Sequence, residues 1–182
     1  MKDLSMHVLD LLANSTVVGS TRIDLNVKDS LKENVYSFEI IDNGKGMSPS
    51  LLAKVTDPYT TTRSTRKVGL GLPLVKMNCE QCNGGFDLKS ELGAGTVLRF
   101  WFEHNNIDRP PLGDLADAIV FTAAMNEQIR FVYTHTTDDG TYVFDTDEIK
   151  SVLDGMSLNN ADIIKALRDM INENLKEIKA NQ

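Results

Sequence analysis

The chain has 182 residues and a formal net charge of −7, with 41% hydrophobic and 25% charged residues. This length allows one large domain or a domain with an appendage, and the composition is typical of soluble globular proteins. The sequence has no apolar run near the ~20 residues that a membrane helix needs, and no apolar leader, so we expect a cytoplasmic protein without membrane contacts.

The negative charge is unevenly distributed along the chain. Residues 1–104 carry 12 acidic and 12 basic side chains, whereas residues 105–182 carry 14 acidic and 7 basic ones. Non-specific nucleic-acid binding needs a basic surface, so this distribution argues against nucleic acid as a partner.

Hydrophobic periodicity predicts the first elements in chain order. Apolar residues at helical spacing predict a helix over 4–18. Residues 21–27 alternate between apolar and polar side chains, which indicates a half-buried strand. A polar turn over 29–34 leads to a second strand over 35–41, which ends at Asp42.

The segment after this strand is rich in glycine and then in basic residues. Gly44 and Gly46 follow Asp42, and glycines in such a loop indicate a sharp turn or a close approach of another group. A short helix is predicted over 50–55. The irregular stretch 57–71 contains basic and threonine residues, and after Asp57 it holds no acidic side chain.

A third helix is predicted from Leu72, because Pro73 suits a first helical turn. It should end near Asn83, before the pair Gly84-Gly85. Two strands around Gly93-Ala94-Gly95 then form a predicted hairpin, over residues 86–91 and 96–103.

The polar, proline-paired stretch 104–111 is a predicted boundary. It divides the chain into 1–104 and an acidic α+β region, 112–182, of unknown role. The predicted elements of the second region are a helix, a hairpin, a short helix and an amphipathic helix, over 113–125, 129–134 with 141–145, 147–154 and 162–178.

Cys79 and Cys82 form the one C-x-x-C of the chain. A zinc site would need further Cys or His ligands nearby, and none is close in sequence. A redox pair would normally begin a helix, whereas this pair is predicted deep inside one. We therefore interpret both as reduced structural thiols.

Four features together indicate nucleotide binding. Asp10 and Asn14 share one helix face, and an amide oxygen near phosphate suits Mg²⁺. Asp42 at a strand end could select an exocyclic amine. A Gly-Leu-Gly run at 69–71 opens a helix, where phosphate can reach free amides and the positive helix dipole. A Gly-Thr pair at 95–96 opens the last strand. Each feature alone also occurs in ordinary turns and helix faces.

The order of these motifs resembles that of the histidine-kinase-like (GHKL) ATPase superfamily. Five sequence motifs match those of the superfamily: V-L-D-L-L-A-N-S-T at 8–16, D-N-G-K-G-M at 42–47, D-P-Y-T-T-T-R at 57–63, G-L-G-L-P-L-V-K at 69–76 and G-A-G-T-V-L-R-F at 93–100. The resemblance covers residues 7–103. It implies an α+β two-layer sandwich of the Bergerat type, with a mixed sheet covered on one face by helices, followed by the small α+β region.

The resemblance also implies roles for individual positions. Asp42 would accept a hydrogen bond from the adenine amine, and Gly46 and Thr96 would hold a bridging water beside it. Asn14 would help to coordinate Mg²⁺, and Asp10 would be the catalytic residue.

A lid over 57–71 would wrap the triphosphate. The full set of positions that the resemblance assigns to ATP is Asn14, Asp42, Gly44, Gly46, Met47, Arg63, Arg66, Lys67, Gly69, Leu70, Gly71, Leu72 and Thr96.

Two departures from the family pattern bear on activity. Hydrolytic relatives and anti-sigma-factor serine kinases carry glutamate at the Asp10 position, and sensor kinases usually carry asparagine. Sensor kinases also place a phosphoacceptor domain before the first of these motifs. Since that motif begins at residue 8, we expect no such domain here. His7, His104 and His135 lack a phosphoacceptor context, and we expect His7 at the surface or as a cap of the first helix.

We therefore predict an Mg-ATP-binding module with ATP and Mg²⁺ as cofactors. It would act as a nucleotide-gated regulator or as a kinase on a separate protein. The alternatives are a slow ATPase and a non-catalytic nucleotide-binding switch or scaffold. A protein partner or substrate is expected, and a homodimer is left open.

Overall fold

A computed structural model of the chain describes residues 3–55 and 71–180. The strands within them are β1 Arg22–Ser30, β2 Val35–Asp42, β3 Gly85–Glu91, β4 Gly95–Glu103, β5 Arg130–Thr137 and β6 Thr141–Asp145. The helices are α1 Leu4–Thr16, α2 Pro49–Leu52, α3 Gly71–Gln81, α4 Leu115–Met125, α5 Thr146–Val152 and α6 Ala161–Glu177.

The strands form one six-stranded sheet in the order β3-β4-β2-β1-β5-β6. β1 and β5 are parallel, and the other neighbouring pairs are antiparallel. Side chains alternate along each strand, so that Leu25 and Phe38 lie in the core while Asp24 and Glu39 are more exposed. The predicted α+β architecture with a mixed sheet and helices is confirmed.

The sheet crosses the boundary predicted from the sequence. Residues 104–111 form an irregular link, but beyond it β5 pairs with β1 from Arg22 to Asp29, and α4 packs on α1. One hydrophobic cluster contains buried residues of both parts. The stretches 1–104 and 112–182 therefore share a sheet and a core, and their status as separate folding units stays a prediction.

The link also completes the beginning of α1. The first amides of a helix have no partner within the helix. Here the backbone N–H groups of Leu4 and Ser5 donate to the carbonyl oxygens of Pro111 and Leu112 at 2.9 and 2.8 Å. Asp3 caps the helix by accepting from the Met6 amide at 2.9 Å.

The expectation that His7 is a surface or cap residue is wrong. His7 is 2% exposed, and its Nε2 lies 3.1 Å from the Asn78 amide nitrogen of α3. Its position on α1 faces the neighbouring helix because α1 is packed on both sides, by α3 and by α4. Burial lowers the pKa of His7.

The predicted turn over 29–34 also begins too early. β1 continues to Ser30, and Asp29 is buried at 2% exposure. A buried carboxylate needs a partner, and Asp29 has one in His104, whose Nε2 lies 2.8 Å from Asp29 Oδ1.

α3 ends two residues before the predicted end. Gln81 is its last residue, and Asn83 has a positive φ of 51°, a common way to leave a helix. Cys79 therefore lies in the last turn and Cys82 beyond it, not deep inside the helix as predicted. Both are buried free thiols, and burial raises the pKa of Cys79 to about 12.

None of the helices within the described residues is long and apolar enough to span a bilayer.

Candidate functional site

A cavity of about 420 Å³ lies between α1, the ends of β2 and β4, and the start of α3. Sites for small molecules and cofactors commonly have volumes of ≈ 300–1,000 Å³. Eight of the residues predicted to contact nucleotide or act in catalysis line this cavity: Asp10, Asn14, Asp42, Gly46, Met47, Gly71, Leu72 and Thr96.

The remaining predicted residues divide into two groups. Gly44 does not line the cavity, but its N–H donates to Asp42 Oδ1 at 2.9 Å and so supports a residue that does. The other five lie outside the described residues: Arg63, Arg66, Lys67, Gly69 and Leu70. The roles of all of them in binding stay predictions.

Asp42 is the buried carboxylate of the cavity, with 7% of its surface exposed. It ends β2, and both of its oxygens have protein donors. Ser15 Oγ donates to Oδ2 at 2.9 Å, and the Gly44 amide donates to Oδ1. These bonds compensate for the burial of the carboxylate and orient it. Ser20 Oγ also lies 3.5 Å from Oδ1. Oδ2 has a second lone pair, so Asp42 can still accept a hydrogen bond from a ligand.

Two glycines allow the loop after Asp42 to pack against the β3–β4 hairpin. Gly46 has a φ of 63°, and a Cβ placed on it would lie 1.9 Å from the carbonyl oxygen of Glu91. Gly95 has a φ of 101°, and a Cβ there would lie 2.0 Å from the carbonyl oxygen of Asp42. Any other residue would strain the backbone and displace one of the two chains.

Ser90, on β3, joins the two sides of this contact. The Met47 amide donates to Ser90 Oγ at 2.9 Å. Ser90 Oγ lies 2.9 Å from the carbonyl oxygen of Gly95 and 2.9 Å from Thr96 Oγ1. The serine therefore sets Met47 and Thr96 beside each other at the cavity wall.

Asp10 and Asn14 of α1 both line the cavity, and Asp10 reaches the start of α3. A Cβ placed on Gly71 would lie 2.0 Å from Asp10 Oδ2, so the carboxylate lies directly against the first residue of that helix. A larger residue at position 71 would require the Asp10 side chain to move. The positive end of the α3 dipole stabilises negative charge at this position. Asn14 is exposed and also lines the cavity.

The sequence reasoning did not assign several other cavity residues. Ser15 follows Asn14 directly in the helix predicted over 4–18, but the sequence predicts no role for it in the cavity. Lys45 also lines the cavity. The remaining lining is mostly apolar and consists of Leu11, Ala13, Val17, Val18, Ile40, Leu51, Val55, Leu88 and Leu98. Periodicity predicts that such residues are buried, but it does not distinguish a core wall from a ligand wall.

Known proteins are similar to the part of the chain that contains the predicted motifs. Residues 2–106 match the model of the family described as histidine kinase-, DNA gyrase B- and HSP90-like ATPases. The N-terminal domain of a DNA repair protein has a similar solved structure, with a TM-score of 0.55 and 19% identity over 79% of this chain and 52% of that one. At that identity the likeness shows the fold alone.

Sequence relatives include two sensor kinases. A putative NtrY-like sensor histidine kinase of Rickettsia bellii is 32% identical over 101 residues, which are 54% of this chain and 16% of the relative. The sensor histidine kinase ZraS of Salmonella typhimurium is 35% identical over 79 residues, 43% of this chain and 17% of the relative. The aligned part thus spans about a sixth of these relatives. Because the family match covers more than half of the chain, the chain belongs to the histidine kinase-, DNA gyrase B- and HSP90-like ATPases, a family of ATP-binding domains.

Proposed function

We propose that the chain binds Mg-ATP in the cavity between α1 and the β3–β4 hairpin, and that it acts as a nucleotide-gated regulator or as a kinase on a separate protein. One observation carries the proposal. Asp42, a buried carboxylate at the end of β2, lines the same cavity as Asp10 of α1. The Asp10 carboxylate lies against Gly71, the first residue of α3.

The cavity has different surroundings near its two carboxylates. Around Asp42 the lining includes Ile40 and Leu98, which suit the flat apolar faces of a nucleobase. Around Gly71 the free amides and the dipole of α3 suit phosphate. We therefore place adenine at Asp42 and the phosphates toward Gly71.

The available oxygen donors fit Mg²⁺. Within residues 3–55 and 71–180 no group of three or more His, Cys, Asp or Glu could hold a metal ion by itself. Mg²⁺ commonly takes one or two protein oxygens and completes its shell with phosphate and water. Asn14 of α1 would supply such a protein oxygen, and the ion would neutralise phosphate charge beside Asp10.

A separate phosphoacceptor is supported by the histidines. The chain has three histidines, and they are only 2%, 6% and 0% exposed at His7, His104 and His135. A buried imidazole is inaccessible to a phosphoryl group bound in the cavity. If phosphate is transferred to histidine, the acceptor therefore lies outside these 182 residues.

Slow ATP hydrolysis is the second candidate, because Asp10 presents a carboxylate to the cavity. A carboxylate can accept a proton from water or from a hydroxyl when it comes within about 3 Å of it, directly or through one water. Asp10→Asn removes this base and leaves the shape of the side chain nearly unchanged. We expect the variant to bind ATP normally and to lose any turnover by ~10²-fold or more.

The direct test is calorimetric titration of the full chain with ATP, ADP and GTP, with and without Mg²⁺. We expect Mg²⁺ to strengthen ATP binding, and GTP to bind at least about ten-fold more weakly, because its oxo group replaces the amine that Asp42 accepts from. Equal affinity for ATP and GTP would contradict the role of Asp42. Assays of phosphate release and of ³²P transfer to proteins of a cell extract then separate the ATPase from the kinase, and absence of both leaves the switch.

A further inference from the structure

We infer that Ser90 is a positioning residue that turns the Thr96 hydroxyl into a pure hydrogen-bond acceptor, so that the wall around Asp42 accepts only from bases that present N–H donors. The inference rests on the proposed nucleotide site and deepens it. It assigns discrimination between amino and oxo purines to a hydroxyl network as well as to Asp42.

The hydroxyl of Ser90 can donate only one hydrogen bond. Its hydroxyl has one proton and lies 2.9 Å from the Gly95 carbonyl oxygen, which cannot donate. That contact therefore uses the proton of Ser90. The 2.9 Å contact between Ser90 Oγ and Thr96 Oγ1 must then be donated by Thr96. The Met47 amide is the second donor to Ser90, which leaves the serine saturated.

The same count applies to Ser15 on the other side of Asp42. A carboxylate accepts only, so the 2.9 Å contact between Ser15 Oγ and Asp42 Oδ2 uses the proton of Ser15. The neighbouring Ser20 donates to the Ser15 carbonyl oxygen at 2.8 Å. Its proton is therefore also committed within the protein.

Three cavity-lining groups thus offer lone pairs and no protons: Ser15, Asp42 and Thr96. An exocyclic amine opposite this wall would find acceptors. A ring nitrogen that accepts would need a water between it and the wall, because water can donate in both directions. An oxo group would meet lone pairs only, which leaves it without a partner and costs affinity.

Ser90→Ala tests the inference because it frees the Thr96 proton to turn toward the cavity. ATP and ITP are suitable probes, since ITP carries an oxo acceptor at C6 in place of the amine of ATP and a proton on N1 in place of a lone pair, which inverts the hydrogen-bonding edge of the base. We expect the variant to bind ATP within about three-fold of the wild type, and its preference for ATP over ITP to fall about five-fold. Ser90→Thr, which keeps the hydroxyl, should restore the preference.

Two results would overturn the inference: an unchanged preference in Ser90→Ala, or a Ser90→Thr variant that behaves like the alanine variant. A merely structural serine would weaken both nucleotides equally. A wild-type chain that binds neither nucleotide would instead refute the proposed function.

A second measurement needs no variant and no nucleotide. In the wild-type chain, NMR should detect a slowly exchanging Thr96 hydroxyl proton with a nuclear Overhauser contact to Ser90. Exchange of that proton at the rate of free threonine would overturn the inference even if Ser90→Ala failed to fold.

Discussion

The neighbouring strands β1 and β2 hold a buried aspartate at each of their two opposite ends, on the helix-covered face. The two aspartates differ in their partners. Asp42 and Asp29 lie on neighbouring strands, 7% and 2% exposed. In the β1–β2 register Asp42 pairs with Ile23, six residues before Asp29, so the carboxylates are about 20 Å apart along the strands.

Asp42 is held by hydroxyl and amide groups beside a cavity, whereas Asp29 lies in the core beside two imidazoles, of which His104 is within hydrogen-bond distance. His104 Nε2 lies 2.8 Å from Asp29 Oδ1, and His135 Nε2 lies 4.0 Å from Oδ2. His135 Nδ1 lies 2.6 Å from the hydroxyl of Tyr133. A buried carboxylate is therefore not by itself a sign of a binding site. What marks a site is a carboxylate oxygen that keeps an accessible lone pair.

The two ends also connect different parts of the chain. The contacts of Asp42 come from residues 15–44, within the family match. Those of Asp29 include His135 of β5, beyond it. We therefore expect substitutions at the Asp29 end to change stability and those at the Asp42 end to change binding.

The largest expected effect is on stability, from Asp29→Ala. The variant removes the carboxylate oxygen that lies 2.8 Å from His104 Nε2 and leaves a void in the core, which together should lower the free energy of unfolding by about 3 kcal/mol. Chemical denaturation measures this loss. At temperatures where the variant is folded, its affinity for ATP should equal that of the wild type. Normal stability combined with lost ATP binding would reverse the roles that we assign to the two ends.

A smaller effect, in affinity, is expected from Asp42→Asn. The amide has one acceptor oxygen and adds a donor that opposes the adenine amine. ATP affinity should fall about ten-fold, equivalent to about 1.4 kcal/mol, as for a lost charge-assisted hydrogen bond. Calorimetry measures the affinity, and a parallel denaturation curve shows whether stability changes by less than the Asp29 variant does. Unchanged ATP affinity would count against base recognition by Asp42.

The smallest effect concerns a third buried group, His7, which lies between α1 and α3. Burial lowers its pKa, so the unfolded chain takes up a proton near pH 6.5 while the folded chain does so only at lower pH. His7 therefore costs no stability above about pH 7, and stability falls as the pH drops below 6.5 until the folded pKa is reached.

The matched variant for this effect is His7→Gln, which keeps a polar group opposite Asn78 but cannot titrate. Between pH 7 and 5.5 it should lose up to about 1 kcal/mol less unfolding free energy than the wild type, since one proton accounts for at most ~1.4 kcal/mol per pH unit. The other titrating groups are the same in both proteins. Parallel pH profiles would show that His7 is freely protonated in the folded chain.

Local patterns predicted the elements well, because each element depends on its own residues. The strand over 35–41 is observed as Val35–Asp42, and the last helix over 162–178 as Ala161–Glu177. Of the nine predicted site residues that the structure describes, eight line the cavity, and at Gly46 the backbone contact with Glu91 excludes any other residue.

Features that depend on distant residues were not predictable in this way. No local signal indicates that β5 lies beside β1, because the paired residues are about a hundred positions apart. The sequence predicts a turn at Asp29 because a charged residue is normally exposed, and its partner His104 is 75 positions away. Ser90 was missed since a lone serine in a strand has no pattern, and its role arises only from contacts with Met47 and Thr96.

The hydrogen bonds from Leu4 and Ser5 to the carbonyls of Pro111 and Leu112 have a practical consequence for expression of the domain. A protein truncated at residue 106, where the family match ends, would lack both acceptors, and the helix that carries Asp10 and Asn14 would fray at its start. The smallest well-behaved nucleotide-binding fragment therefore extends past the family boundary. Hydrogen–deuterium exchange at the Leu4 and Ser5 amides measures whether their hydrogen bonds to Pro111 and Leu112 are formed.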